Sequence, residues 1–150
     1  MNDYSYEDIS VGQRASFKAV PGEAELAAFM RITGDVNPLH GDEDYAIRQG
    51  YKGRVAYGML TASYLSTLAG VYLPGERSLI HSVEVRFEAP VYAGDELTIS
   101  GEVTEKNDTF RFITVKVLIR NQDNKKVLKG KMQIGVSDPA DNKQGVHEDP

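Results

Sequence analysis

The sequence contains no cysteine. Disulfides, thiolate metal sites and cysteine nucleophiles are thereby excluded, so any chemistry must use other side chains. Long apolar runs are missing too, and no stretch approaches the ~18 consecutive apolar residues of a membrane span. Basic residues are in the minority: 17 lysines and arginines stand against 22 aspartates and glutamates, a net charge of −5. Such a chain lacks the basic face that phosphate backbones require, and nucleic acid is not expected as a partner. The first residues, MNDYSYEDIS, show neither the basic nor the apolar region of a secretory leader. The expectation is a cytoplasmic protein with no membrane association.

What is present fits one folded domain. The chain has 150 residues, 41% of them hydrophobic and 26% charged. At this length folding should bury roughly 68–70% of the unfolded chain's surface around a single core. The domain is expected to span residues 1–137, with a polar tail at 138–150. The last fourteen residues, SDPADNKQGVHEDP, hold one valine and one alanine among polar and breaker residues, too little apolar surface to offset ordering.

Local patterns divide the body. A strand over 14–20 ends at Pro21-Gly22. A helix over 23–32 follows, because Leu26, Phe29, Met30 and Thr33 recur at i, i+3, i+4 and i+7, and Gly34 stops it. Residues 35–41, DVNPLHG, read as an irregular loop. Asp42 then caps a short helix with Glu43 and Asp44 in its first turn, Arg48 near its end and Gly50 beyond. The run 58–70, GMLTASYLSTLAG, carries no charge. That is the pattern of a helix buried all round, with Gly70 as its C′ residue.

From Leu79 onward the period changes to two. Leu79, His81, Val83, Val85 and Phe87 form one row, and Leu97, Ile99 and Val103 a second, ending in a turn over 105–109. Ile113, Val115, Val117 and Ile119 form a third. Leu128, Met132, Ile134 and Val136 form a fourth, after a turn over 121–125. Four such rows predict an antiparallel meander. The fold class is therefore α+β, an antiparallel sheet wrapped around the uncharged helix, the one element needing cover on all sides.

Chemistry concentrates at Asp35 and His40. Their spacing of five would set them about 140° apart on a continuous helix. In a chain bent by Asn37-Pro38 both can reach one pocket, where a carboxylate and an imidazole share a water and exchange protons with it near neutral pH. Each also has a structural reading. Asp35 can cap the turn that Asn37-Pro38 begins, and His40 can bond a backbone carbonyl. His81 reads as a core or interface histidine and His147 as solvated, while Asp42, Glu43 and Asp44 are explained by the helix start.

The string Phe29-Met30-Arg31-Ile32-Thr33-Gly34-Asp35-Val36-Asn37-Pro38-Leu39-His40, with Ala46 following, resembles the signature of the MaoC-like (R)-specific enoyl-CoA hydratases. The likeness continues through Tyr57-Gly58-Met59-Leu60-Thr61-Ala62-Ser63, Leu73-Pro74-Gly75 and Phe87-Glu88-Ala89-Pro90-Val91-Tyr92-Ala93-Gly94-Asp95. It spans essentially residues 8–136. The resemblance implies a hot-dog fold, a homodimer or higher homo-oligomer, and reversible syn hydration of trans-2-enoyl-CoA to (R)-3-hydroxyacyl-CoA.

Carried over residue by residue, the resemblance makes Asp35 and His40 a catalytic dyad activating water, with Asn37 as its orienting neighbour. It puts Ser66 at the family's active-site serine position, and the Gly58 N–H against the thioester oxygen. The last role suits a residue opening an apolar helix, whose amide is an orphan donor at the positive dipole end. Family members commonly have histidine before that glycine, where this chain has Tyr57, so Tyr57 and Met59 are expected to position the substrate differently.

No metal or redox cofactor is implied. The CoA or acyl-carrier phosphopantetheine belongs to the substrate, and Arg48, Lys52 or Arg54 could meet its phosphates. Four readings compete. One is a 3-hydroxyacyl-carrier-protein dehydratase of the same family. A hot-dog acyl-CoA thioesterase looks for Asp or Glu on or at the start of the central helix, where residues 58–70 offer none. A non-catalytic acyl-thioester-binding subunit is disfavoured by the retention of Asp35, Asn37 and His40 together. A nodulation-protein-N-like member shares the motif as well.

Overall fold

Alternating apolar rows build the sheet. The computed structural model describes residues 1–138; of the expected polar tail, all but Asp138 lies outside the described residues. Five antiparallel strands run as β1 (Arg14–Ala19), β2 (Ser78–Phe87), β3 (Leu97–Asn107), β4 (Phe112–Arg120) and β5 (Lys126–Val136). The second, third and fourth rows face inward as expected. Leu97, Ile99, Val103, Ile113, Val115, Val117, Ile119, Leu128, Met132 and Ile134 are each at most 1% exposed. Burying one such side chain contributes about 1.5–3 kcal/mol, which is what fixes the register of these strands.

The helical half comprises α1 (Glu23–Thr33), α2 (Pro38–Gly41), α3 (Glu43–Arg48) and α4 (Gly58–Thr67). Glu25 Oε2 accepts the Gly22 N–H at 3.0 Å at the start of α1, and Gly34 ends that helix at φ 73°. Asp42 Oδ1 accepts the Tyr45 N–H at 2.9 Å and caps α3. Leu60, Leu65, Leu68 and Ala69 of α4 and the turn after it share one core with the inner face of the sheet. The approach is close: a Cβ on Gly101 of β3 would lie 2.9 Å from Leu68 Cδ2. No helix among the described residues is long and apolar enough to cross a membrane.

Several expectations are corrected. The strand order is β1-β3-β4-β5-β2, so only β3 to β5 form a meander; β2 pairs with β5, not with its successor β3. At that edge nothing among the described residues covers its apolar row. Leu79 is 66%, Val83 46% and Phe87 52% exposed. A register shift between Ile80 and Ser82 throws His81 out of the row, and it stands exposed, not in the core. β3 runs two residues past the start of the expected turn, because Lys106 and Asn107 still pair with Ile113 and Phe112.

Gly70 does not end the central helix. Leu73 donates to Leu68 O and Gly75 to Ala69 O, each at 2.9 Å, and these bonds carry the chain through a π-helical turn, Leu68–Tyr72. Nor is α4 buried all round. Met59 is 64% exposed, and Ser63 and Ser66 are exposed beside it. The expected loop at 35–41 also contains α2, a single helical turn, whose formation belongs to the site.

Candidate active site

The site begins where α1 ends. Thr33 Oγ1 donates to Phe29 O at 2.8 Å and accepts the Asp35 N–H at 3.2 Å. Asp35 Oδ1 accepts the Asn37 N–H at 3.0 Å. Asn37 Oδ1 in turn accepts the Leu39 N–H at 3.0 Å and caps α2. Pro38 opens that helix, where its missing N–H leaves nothing unsatisfied. This ladder of short bonds explains why seven residues rich in breakers still form an ordered bend. It gives Asn37 a role through the backbone: one group holds Asp35, another holds the helix bearing His40.

His40 Nδ1 lies 2.6 Å from Val55 O. A carbonyl can only accept, so Nδ1 carries the proton of the neutral ring and Nε2 is left with a lone pair. Both structural readings of the sequence are thus realised, Asp35 as turn cap and His40 on a carbonyl. Neither uses up the groups that chemistry needs.

Tyr57 joins the two. Its ring packs on His40 with centroids 4.0 Å apart and on Phe29 at 4.9 Å, and its hydroxyl donates to Asp35 O at 2.8 Å. The residue is 4% exposed. Burial pushes the phenol above its ordinary pKa, and the Asp35 charge adds to the shift, so it stays a donor at neutral pH. The sequence points to Tyr57 only as a substrate-positioning residue; its part as a post between Asp35 and His40 emerges from the structure.

Asp35, His40, Tyr57, Gly58, Met59 and Ser66 all border one cavity of about 650 Å³. Asn37 does not border it. Met59, Ala62, Ser63 and Ser66 fall at i, i+3, i+4 and i+7 along α4, and this uncovered stripe forms one wall. Phe29, Leu65, Ile80 and Val83 make much of the remainder apolar. Gly58 is the first residue of α4, where an N–H has no intrahelical acceptor. A Cβ there would lie 3.2 Å from the Phe87 ring, which would have to shift by a few tenths of an ångström to admit it.

The basic residues stand elsewhere. Arg54 is ion-paired with Glu23, and with Lys52 it borders a separate groove that also contains Glu43 and Asp95. The Arg48 guanidinium lies over the Tyr45 ring at 5.9 Å. Among the described residues no cluster of three or more His, Asp or Glu side chains could hold a metal ion.

Comparison with known proteins bears on this arrangement. The family described as MaoC like domain matches residues 7–125. The sequence is 36% identical to the (R)-specific enoyl-CoA hydratase of Rhodospirillum rubrum, over 74% of this chain and 77% of that protein. It is 36% identical to 3-hydroxybutyryl-CoA dehydratase of Methylorubrum extorquens, over 67% of this chain and 64% of that one. The solved (R)-hydratase of Aeromonas caviae, involved in PHA biosynthesis, superposes with a TM-score of 0.84 at 33% identity. That match covers 87% of this chain and 99% of the other. The architecture shared with that structure is the hot-dog fold.

Proposed function

This chain belongs to the MaoC-like domain family, and on that premise we propose that it is a hydro-lyase hydrating trans-2-enoyl-CoA reversibly to (R)-3-hydroxyacyl-CoA. The observation carrying the reading is the meeting of Asp35, His40 and Gly58 on the wall of one largely apolar cavity. A water held between the Asp35 carboxylate and His40 Nε2 attacks C3. One of the two groups takes its proton, and a proton reaches C2 from the same face, so the elements of one water add across the double bond. Negative charge developing on the thioester oxygen meets the Gly58 N–H at the positive end of α4. One such donor is worth roughly 10²–10³ in rate.

The substrate brings its own carrier, and the steps above use no metal or redox group. Dehydration by the same site is the second reading, favoured by the likeness to 3-hydroxybutyryl-CoA dehydratase. The direct test is loss of the enoyl-thioester absorbance on mixing the protein with crotonyl-CoA. Release of free CoA thiol from a saturated acyl-CoA would instead point to a thioesterase and overturn the proposal.

We further propose a homodimer. Leu79, Ile80, Val83 and Phe87 lie exposed along β2, and Met59 of α4 borders one cavity with Ile80 and Val83. β2 is an edge strand among the described residues, the kind of strand that offers its backbone for pairing. Ile80 and Val83 also border the cavity, so a second copy on this edge would close it. Sedimentation is expected to give twice the mass of one chain, and Leu79→Asp the mass of a single chain. A monomeric parent would refute the dimer.

A further inference from the structure

Thr61 lies three residues after Gly58 in α4 and is 2% exposed. Its Oγ1 is buried and has no hydrogen-bond partner among the described residues. A helical threonine commonly rests its hydroxyl on the carbonyl four residues back. Here Tyr57 O takes the Thr61 N–H, at 3.1 Å, and the hydroxyl is left over. Buried polar groups without partners are rare in folded proteins, and each points to a missing water, ion or ligand.

Thr61 borders a second cavity, of about 320 Å³, together with His40, Gly58, Phe87, Pro90 and Val91. His40 and Gly58 border the larger cavity as well. Gly58, whose amide is assigned to the thioester oxygen, therefore borders two spaces, both with largely apolar walls. One has the apolar wall of Phe29, Leu65, Ile80 and Val83. The other has the orphan hydroxyl.

A thioester whose carbonyl sits at Gly58 must send its acyl chain one way and its sulfur arm the other. The larger cavity, walled by Phe29, Leu65, Ile80 and Val83 and without an orphan hydroxyl, suits the acyl chain. In a pantetheine arm the first amide nitrogen follows the sulfur after two methylenes, and its carbonyl oxygen lies roughly 5–6 Å from the sulfur by ordinary bond lengths. Gly58 and Thr61 stand about 4.5 Å apart along the helix axis, and each adds a hydrogen bond of about 3 Å to reach the ligand, so one extended arm can span both. We propose that the second cavity receives the amide-bearing arm of the carrier, and that the Thr61 hydroxyl donates to the first amide carbonyl of that arm. This rests on the hydration reading and adds a positioning residue to it. CoA and acyl carrier protein share this arm.

The test compares the parent with Thr61→Val, which keeps the branched shape and removes only the hydroxyl. Calorimetric binding of butyryl-CoA, which needs no turnover, should weaken about tenfold, the worth of one ordinary hydrogen bond. For crotonyl-CoA and the crotonyl thioester of N-acetylcysteamine, KM should rise about tenfold with kcat held. The S-propyl thioester, which has no amide, should be unaffected, and Thr61→Ser should restore the parent values. A crotonyl acyl carrier protein assayed alongside crotonyl-CoA shows which carrier the parent prefers.

Equal losses on all three crotonyl thioesters, or none, would overturn the assignment. So would a variant that only melts earlier, which marks a structural water, or a parent that binds no butyryl-CoA. A parent that binds butyryl-CoA in a Thr61-dependent way yet hydrates nothing refutes the hydration reading and leaves the arm site standing. A parent that hydrates, with Thr61→Val unchanged, refutes the arm site alone.

Discussion

His40→Ala and Asp35→Asn are each expected to lower kcat for crotonyl-CoA hydration by about 10²–10⁴, the usual worth of a positioned proton-transfer group. The two variants differ in what else they disturb. Asparagine at 35 keeps an oxygen that can accept the Asn37 N–H, the bond now made by Asp35 Oδ1 at 3.0 Å. The bend should therefore survive while the charge is lost, and a kcat loss without a change in melting temperature isolates the chemistry. Alanine at 40 removes the bond to Val55 O at 2.6 Å and the ring packed on Tyr57, so some stability goes with it. Steady-state kinetics with matched unfolding curves separates these effects. Activity retained in both variants would remove the pair from the mechanism, and with it the role assigned to the shared water.

Gly130→Ala should be the most destabilising single substitution considered for the scaffold, at about 3 kcal/mol or more, the upper end of the range for overpacking. Gly130 lies in β5 opposite Val85 of β2. A Cβ there would fall inside the Glu84 carbonyl oxygen and 2.9 Å from Val85 Cα. These are backbone atoms of a hydrogen-bonded neighbour, not the ends of flexible side chains, so relief requires the two strands to separate. Because β2 brings Ile80 and Val83 to the cavity, hydration should fall along with stability. Urea unfolding reads the effect, and a variant within about 0.5 kcal/mol of the parent, an ordinary surface change, would show that β2 is not held as described.

Much of this fold is legible in one dimension. The rows of β3, β4 and β5 alternate because one face meets the core and the other meets water, and that contrast is written directly into the residues. Gly34, Asn37-Pro38 and Asp42 mark turns and caps for reasons internal to a few peptide units. Asp35 and His40 stand out on the same local grounds, since an acid and an imidazole across a bend are conspicuous in any chain.

Pairing partners are another matter. Nothing in the row of β2 says that it joins β5 at the edge, because alternation specifies a face and not a neighbour. The uncharged run of α4 reads as core throughout, yet one stripe of it lines a cavity; apolar side chains suit a packed interior and a substrate-binding hollow equally well. Thr61 gives no signal at all, since a threonine in a helix does not announce whether its hydroxyl will find a partner.

The sequence by itself determined where most strands and helices form, α2 and the π-helical turn after α4 aside, and which side chains could move protons, because those properties depend largely on neighbours within a turn or two. Only the tertiary structure decided that Asp35 and His40 share a cavity. Their setting is completed by Val55 O, fifteen residues from His40, and by the Tyr57 hydroxyl, twenty-two residues from Asp35. Contacts across such distances arise only when the whole core closes.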